Sequence, residues 1–224
     1  MKKICERETV LAVVAHPDDE VLGCGGTLAR HAEAGDAVHV LILADGESSR
    51  LQPSEISKRL ACAERAARIL GLLPYKFLQF SDNQMDKVAL LEIVRQIEAV
   101  ISQLRPTVIY THHGGDLNVD HQITFKAVMT ACRPLPGSTV NAIYTFEVAS
   151  STEWTGIPFT PLLAVDISRT VNKKMDALRC YDSEMRPFPH ARSYIAIDNM
   201  VKLRGAQFGL FAAETFGVIR QVYR

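Results

Sequence analysis

The amino-acid sequence predicts an α/β fold: a Rossmann-like, doubly wound, mostly parallel sheet with helices on both faces, in three α/β/α layers. Two observations predict it. Short apolar runs alternate with longer segments of helical periodicity along the chain. The runs at 10–15 and 37–43 are apolar at almost every position, as is typical of strands that are buried on both faces. With 224 residues and no repeat or Gly/Ser-rich linker, we expect a single domain over residues 1–224.

The first β-α-β unit shows this alternation clearly. The strand at 10–15 is followed by a helical pattern at 20–34, and a Gly-Asp pair separates that helix from the next apolar run. The later predicted elements, in order, are a helix at 53–70, a strand at 76–80, a helix at 88–104, a strand at 107–110, a helix at 122–132, apolar segments at 142–148 and 162–167, and helices at 169–182 and 194–211. The irregular stretch 149–161 is expected to be a surface segment that contacts substrate.

The composition excludes several classes of function. Lys plus Arg equals Asp plus Glu at 25 each, so no overall field favours nucleic acid or anionic lipid as a partner. No apolar run approaches the roughly 20 residues of a membrane helix. The polar N-terminal residues do not resemble a signal peptide, and we expect a cytoplasmic protein, with a homo-oligomer left open. The five cysteines form no Cys-x-x-Cys pair, so neither a disulfide framework nor a thiolate zinc site is predicted.

Two polar clusters follow predicted strands. Residues 16–20 follow the first strand, and residues 111–120 follow the strand that ends at Tyr110. Because ligands of open parallel sheets bind outside the carboxyl ends of the strands, both clusters are expected at one edge of the sheet. The sequence therefore predicts a site there, although the two clusters are about a hundred residues apart along the chain.

The residue types in these clusters indicate a metal. His16 and Asp19 are three residues apart and can point toward one centre, and His121 can supply a third ligand. Two imidazoles and one carboxylate suit Zn²⁺, and three protein ligands leave the open position of a catalytic zinc. Asp18 is then the candidate for the base that takes a proton from the attacking water. A second group must stabilise the oxyanion and protonate the leaving amine, and His113 and His190 are the candidates.

Simpler interpretations exist for each motif. Asp18-Asp19 alone would be read as a helix cap, and His112-His113 as a loop in which one histidine is solvated. Asp120 either orients a metal-site histidine or caps a helix. His31 and His39 are expected to be structural. The glycines 23, 25 and 26 lack the register of a dinucleotide fingerprint, which disfavours a nicotinamide cofactor.

The chain resembles the LmbE-like family of zinc deacetylases, which includes the N-acetylglucosaminyl-phosphatidylinositol de-N-acetylases. The resemblance spans most of the chain and rests on Ala15-His16-Pro17-Asp18-Asp19-Glu20, Thr111-His112-His113, Asp116 to His121, Asp82-Asn83 with Asp86, Tyr181 to Glu184, and Pro189 to Ser193. It implies that His16, Asp19 and His121 bind zinc and that Asp18 is the general base. It implies a reaction that removes an N-acetyl group from an amino sugar.

One position departs from the family pattern. Several known members have a histidine three residues before the last zinc ligand, whereas this chain has Asn118. Asn118 can hydrogen-bond an oxyanion but cannot relay a proton, so His190 is our hypothesis for the electrophilic and acid role. Arg192 either binds a phosphate or carboxylate of the substrate or forms a surface ion pair.

Three functions therefore compete. The first is a zinc N-deacetylase that acts on an N-acetylglucosamine-type unit, free or conjugated. The second is an amidase that removes a larger acyl or peptide-like group, for example from a sugar-thiol conjugate, with the same metal chemistry. The third is a non-catalytic metal-binding or interaction module, against which the presence of Asp18 argues.

Overall fold

The computed structural model of the protein describes residues 7–50 and 56–223. Its centre is one sheet with the strand order β3-β2-β1-β4-β5-β7-β6. The seven strands within the described ranges are β1 Thr9–Val14, β2 Ala37–Ala44, β3 Lys76–Phe80, β4 Val108–His112, β5 Ala142–Phe146, β6 Leu163–Asp166 and β7 Ala213–Gln221. The strands from β3 to β5 in this order pair in parallel, and β7 is antiparallel to both of its neighbours.

The helices cover both faces of the sheet. They are α1 Asp19–Glu33, α2 Ile56–Leu70, α3 Leu90–Leu104, α4 Val119–Ala131, α5 Val171–Leu178 and α6 Tyr194–Gln207. Alternate residues of β1 point to opposite faces: Val10 packs in the core with α1, α2 and α5, and Leu11 in the core with α3 and α4. The predicted three-layer, mostly parallel α/β fold is confirmed. Among the described residues, no helix has the length and apolar character needed to cross a bilayer.

Two predicted helices differ from the structure. The helix predicted to extend to 211 ends at Gln207, and a strand that the sequence did not reveal, β7, follows it. Only the first half of β7 is fully buried, so it lacks the long apolar run of the central strands. The helix predicted at 169–182 is shorter, because residues 179–184 form a 3₁₀ segment. The start of the helix predicted at 53–70 lies partly outside the described residues.

The strand order creates a cleft beside β1. From β1 the chain proceeds to β2 and β3 on one side, whereas β4 and β5 lie on the other side. The carboxyl ends of β1 and β4 are adjacent, with Val13 paired to Thr111. Such a reversal of strand order is where α/β sheets bind ligands. It places the segment that begins at His16 beside the segment that follows His112.

Candidate metal centre and active-site cavity

Three buried side chains converge at this cleft. His16, Asp19 and His121 each offer one ligand atom, and these atoms all lie within 4.8 Å of one another. Asp19 Oδ2 is 3.4 Å from His16 Nδ1 and 3.3 Å from His121 Nε2. The nearby histidines hold the pKa of Asp19 well below its usual range, although burial alone would raise it. The carboxylate is therefore ionised and can bind a cation.

Two carboxylates fix the orientation of the His16 ring. Its Nε2 lies 3.0 Å from both Asp82 Oδ1 and Asp120 Oδ2. A proton on Nε2 leaves the Nδ1 lone pair directed toward Asp19, which is how histidine ligands are usually oriented. Burial lowers the pKa of His16, but the hydrogen bonds that its ring donates to Asp120, Asp19 and Asp82 outweigh burial and raise the pKa well above its usual value. Asp120 thus contacts a site histidine and does not cap α4.

A carboxylate also fixes the orientation of the His121 ring. Its Nδ1 is 3.1 Å from Asp116 Oδ1, so Nε2 faces Asp19 as an acceptor. Asp116 is itself held by the hydroxyls of Ser151 and Thr152, the latter at 2.5 Å. Burial lowers the pKa of His121, and the carboxylates of Asp19 and Asp116 outweigh it, so that the pKa is about 9. In both imidazoles one nitrogen contacts a carboxylate outside the cluster and the other faces Asp19, where a bound cation would take the place of a proton.

Asp18 has an unusual backbone conformation beside this cluster. Its φ of 117° is in a region that non-glycine residues rarely adopt, and its side chain makes no capping hydrogen bond to α1. Its N–H donates to Glu20 Oε2 at 3.0 Å. Its Oδ2 accepts hydrogen bonds from Arg59 and Arg192, each at 3.1 Å. Burial raises the pKa of Asp18, and the two guanidiniums only partly offset this effect.

A cavity of about 390 Å³ opens above these groups. Of the residues predicted from the sequence, seven line it: His16, Asp18, Asp19, Asn118, His121, His190 and Arg192. The irregular stretch at 149–161 contributes Ser150, Ser151 and Trp154, and Trp154 is 55% exposed at the rim. Asp120 is fully buried beneath the floor. His113 does not line the cavity; its ring contacts Phe159 at 5.4 Å between centroids.

Three of the predicted residues have contacts that limit their roles. The Asn118 side chain caps α4 by accepting from the backbone N–H groups of Asp120 and His121. His190 Nδ1 accepts the backbone N–H of Arg192 at 3.0 Å, which leaves the ring proton of a neutral His190 on Nε2. The Arg192 guanidinium donates to Asp18 and to Ser150, so its ion pair lies inside the cavity and not on the outer surface.

Comparison with known proteins agrees with this geometry. The family model described as PIG-L: GlcNAc-PI de-N-acetylase matches residues 11–132, more than half of the chain. The match includes His16, Asp19 and His121. The chain belongs to the PIG-L family. The resemblance seen in the sequence motifs is thereby confirmed.

Individual relatives extend the comparison. The protein named "Uncharacterized deacetylase YaiS" of Escherichia coli K12 is 34% identical over 138 residues, which cover 58% of this chain and 71% of that protein. Diacetylchitobiose deacetylase of Thermococcus kodakarensis is 27% identical over 196 residues, 78% of this chain and 69% of that enzyme. The crystal structure of GalB, the 4-carboxy-2-hydroxymuconate hydratase of Pseudomonas putida KT2440, has a TM-score of 0.77 at 24% identity and covers 97% of this chain and 98% of its own. Because this fold also carries a hydratase, the reaction must be argued from the site.

The site of this PIG-L-family chain also contains two residues, His112 and Arg59, that were not predicted from the sequence. His112 is fully buried, accepts the Ala15 N–H at Nε2, and stacks on His121 with 3.9 Å between ring centroids. Burial, and then the charge of His121, lower its pKa to about 4, so His112 is neutral. Arg59 of α2 reaches Asp18 and also lies 2.6 Å from Glu184. The alternation of side chains between the two faces of β4 could have indicated His112, but no local pattern indicates Arg59.

The contact between Asp116 and His121 leads to a prediction. Asp116→Asn should weaken metal binding about 10- to 100-fold, the usual effect of losing a carboxylate that orients a histidine ligand. Competition with a chromophoric chelator measures the dissociation constant. Asp166→Asn is the control, since Asp166 lies on β6 and does not line the cavity. Equal metal affinity in Asp116→Asn and wild type would show that Asp116 does not orient His121.

Proposed function

We propose that this protein is a zinc-dependent N-deacetylase that hydrolyses the acetamide of an N-acetylglucosamine-type sugar or glycoconjugate. The observation that carries the proposal is the convergence of His16, Asp19 and His121 within 4.8 Å at a cavity that also contains Asp18. Membership of the PIG-L family supports the N-acetyl sugar as substrate.

The donor set fits Zn²⁺. His16 Nδ1, His121 Nε2 and a carboxylate oxygen of Asp19 would hold the ion, and such a set of three leaves a position open. The second available cluster, His16 with Asp82 and Asp120, uses Nε2 of the same ring. We interpret this second cluster as a set of hydrogen bonds that orients a ligand of the first cluster, because Asp82 and Asp120 accept the N–H of the His16 ring. When bound, Zn²⁺ would polarise the amide carbonyl and acidify a water molecule.

Asp18 moves the proton. Both guanidiniums bind its Oδ2, so we assign Oδ1 as the atom that accepts a proton from the attacking water. The raised pKa of this buried carboxyl makes the carboxylate a stronger base. The water oxygen then bonds to the carbonyl carbon, the C–N bond breaks, and Asp18 returns the proton to the departing amine. The products are acetate and the free amino sugar.

His190 stabilises the oxyanion in this proposal. The proton on Nε2 of the neutral ring can donate a hydrogen bond to the former carbonyl oxygen. A neutral imidazole is a very weak acid, which is why we assign protonation of the amine to Asp18 and the electrophilic role alone to His190. Arg192 holds Asp18 and, through its backbone N–H, the His190 ring.

Replacement of His190 tests that role. His190→Ala should lower kcat about 10²- to 10³-fold, the typical loss for one oxyanion donor, while bound metal stays equimolar. His113→Ala is the matched control, because His113 lies outside the cavity and should tolerate the change. The measurement pairs steady-state kinetics with metal analysis. Near-normal turnover in His190→Ala would exclude the assignment.

The choice between deacetylase and amidase is tested on matched substrates. The metal-loaded protein is given a series of glucosamine derivatives whose N-acyl group lengthens from acetyl to butyryl and hexanoyl, and both acid and amine products are quantified. We expect acetyl to have the highest kcat/KM. A preference for the longer acyl groups would favour the amidase, and no amine from any derivative would refute amide hydrolysis of amino sugars.

A further inference from the structure

Helix α1, which carries Asp19, is not one continuous helix. At Cys24 the backbone has φ of −145° and ψ of 17°, which are not helical values. In a continuous helix the N–H groups of Gly26 and Thr27 would donate to carbonyls four residues earlier. Here both donate to the Glu214 carboxylate instead, at 3.0 Å and 2.7 Å. The break therefore separates a short first piece, next to the metal centre, from the rest of the helix.

Lys174 binds the backbone on the N-terminal side of the break. Its Nζ donates to the carbonyl oxygens of Val21 and Leu22, at 2.9 Å and 2.7 Å, and to Glu214 Oε1 at 2.6 Å. Leu22 is the residue whose carbonyl would otherwise accept the Gly26 N–H. One charged pair thus replaces helix hydrogen bonds on both sides of the break: the ammonium binds the carbonyls and the carboxylate binds the N–H groups.

Both members of the pair are buried, so the positions of their charged groups are tightly constrained. Lys174 is fully buried and Glu214 is 4% exposed, and a buried lysine of this kind is rare unless it is paired. Loss of one partner would leave the other as an uncompensated buried charge. The two residues come from α5 and β7, so they anchor the break to a different part of the fold.

Close packing explains the glycines around the break. A Cβ on Gly23 would lie 2.1 Å from the Phe146 ring, and one on Gly26 would lie 2.9 Å from Ile167. The Gly26 carbonyl also accepts a hydrogen bond from Thr170 Oγ1 at 2.8 Å, immediately before α5. The glycines that resemble part of a nucleotide-binding motif instead let α1 break and pack tightly against its neighbours.

We propose that Lys174 and Glu214 are positioning residues for the metal centre. By fixing the break in α1, they set the direction of its first piece and with it the positions of Asp19 and of the strained residue Asp18. Lys174 binds the carbonyls two and three residues after Asp19, so any shift at the break is passed directly to this ligand. The proposal rests on the proposed function only in taking Asp19 as a metal ligand.

The test uses Co²⁺ as a probe of ligand geometry. The double variant Lys174→Met/Glu214→Gln removes both charges together, so that neither is left buried alone. We expect it to fold and to bind Co²⁺ about 10-fold or more weakly, in the range seen when the support of a ligand is lost. We also expect a changed visible absorption spectrum of the bound Co²⁺, and a lower kcat with little change in KM. The spectrum needs no substrate, so it is independent of which amide is hydrolysed.

A control separates positioning from stability. Val100 is a buried residue of α3, in the core on the face of the sheet opposite α1. Val100→Ala should lower the Tm by leaving a cavity there, but should leave the Co²⁺ spectrum and affinity unchanged. If Lys174→Met/Glu214→Gln also lowers only the Tm, the proposal is wrong.

A second variant tests the proposal if the double variant does not fold. Glu214→Asp keeps both charges and withdraws the carboxylate by one methylene. It should still change the Co²⁺ spectrum and weaken binding, since the N–H groups of Gly26 and Thr27 must follow the carboxylate. A folded Glu214→Asp protein with the wild-type spectrum and affinity would overturn the proposal.

Discussion

Asp18→Asn should lower kcat by about 10²- to 10⁴-fold, the usual contribution of a general base. Asparagine has nearly the same shape and tolerates positive φ better than most residues, so the backbone at φ 117° should be preserved. Its amide cannot accept the proton that Asp18 takes from water. Metal content, measured by elemental analysis, should stay equimolar, because the ligands are other residues.

The control for this variant addresses the arginines. Asp18→Asn also removes a carboxylate from the buried Arg59 and the partly buried Arg192, and guanidiniums that lose a partner there destabilise the site. Glu184→Gln removes the carboxylate that lies 2.6 Å from Arg59 and leaves Asp18 and the more distant Glu47 intact. We expect a far smaller loss of kcat in Glu184→Gln. Equal losses in the two variants would mean that Asp18 acts through its ion pairs and not as the base.

His121→Ala should remove the metal. Two ligands, His16 and Asp19, would remain, and the Asp116 carboxylate that orients His121 would lose its partner. The metal dissociation constant should rise by more than the roughly 10- to 100-fold typical of losing a supporting hydrogen bond. Turnover should fall in proportion to occupancy at low metal concentration. Isothermal titration with Zn²⁺ measures the affinity.

A second histidine variant provides the comparison for His121→Ala. His39 lies half-buried on β2 outside the cavity, and burial lowers its pKa. His39→Ala removes an imidazole of the same size and should keep wild-type affinity for Zn²⁺. If His121→Ala retains wild-type affinity as well, the metal is bound elsewhere and the proposed centre is wrong.

The sequence predicted much of the fold because its central strands are buried on both faces. Continuous apolar runs identified β1 and β2, and the loops after β1 and β4 identified where the site would be. It did not reveal β7, whose second half is only partly buried and whose pairing with β5 and β6 is long-range. The break in α1 was also missed, since it depends on Lys174 and Glu214, which are remote in sequence.

The candidate site was predicted in part for the same reason. Residues in the segments that follow strand ends could be placed without knowing their contacts, and His16 after β1 and His121 after β4 are such residues. The choice between His112 and His113 depended on where β4 ends: the strand continues to His112, which therefore points inward toward Phe146. Arg59 is a buried cation on a helix. Its position depends on contacts with Asp18 and Glu184, and local periodicity does not indicate such contacts.

Acetate release as a function of bound metal tests whether the centre formed by His16, Asp19 and His121 carries the hydrolysis. The protein is stripped with a chelator, reloaded with increasing Zn²⁺ up to one equivalent per chain, and assayed on a panel of N-acetylated amino sugars at each step. We predict no acetate from the stripped protein and a rate that rises in proportion to bound zinc until one ion per chain is reached. Release of acetate at the same rate from the stripped and the reloaded protein would show that the hydrolysis does not depend on the metal.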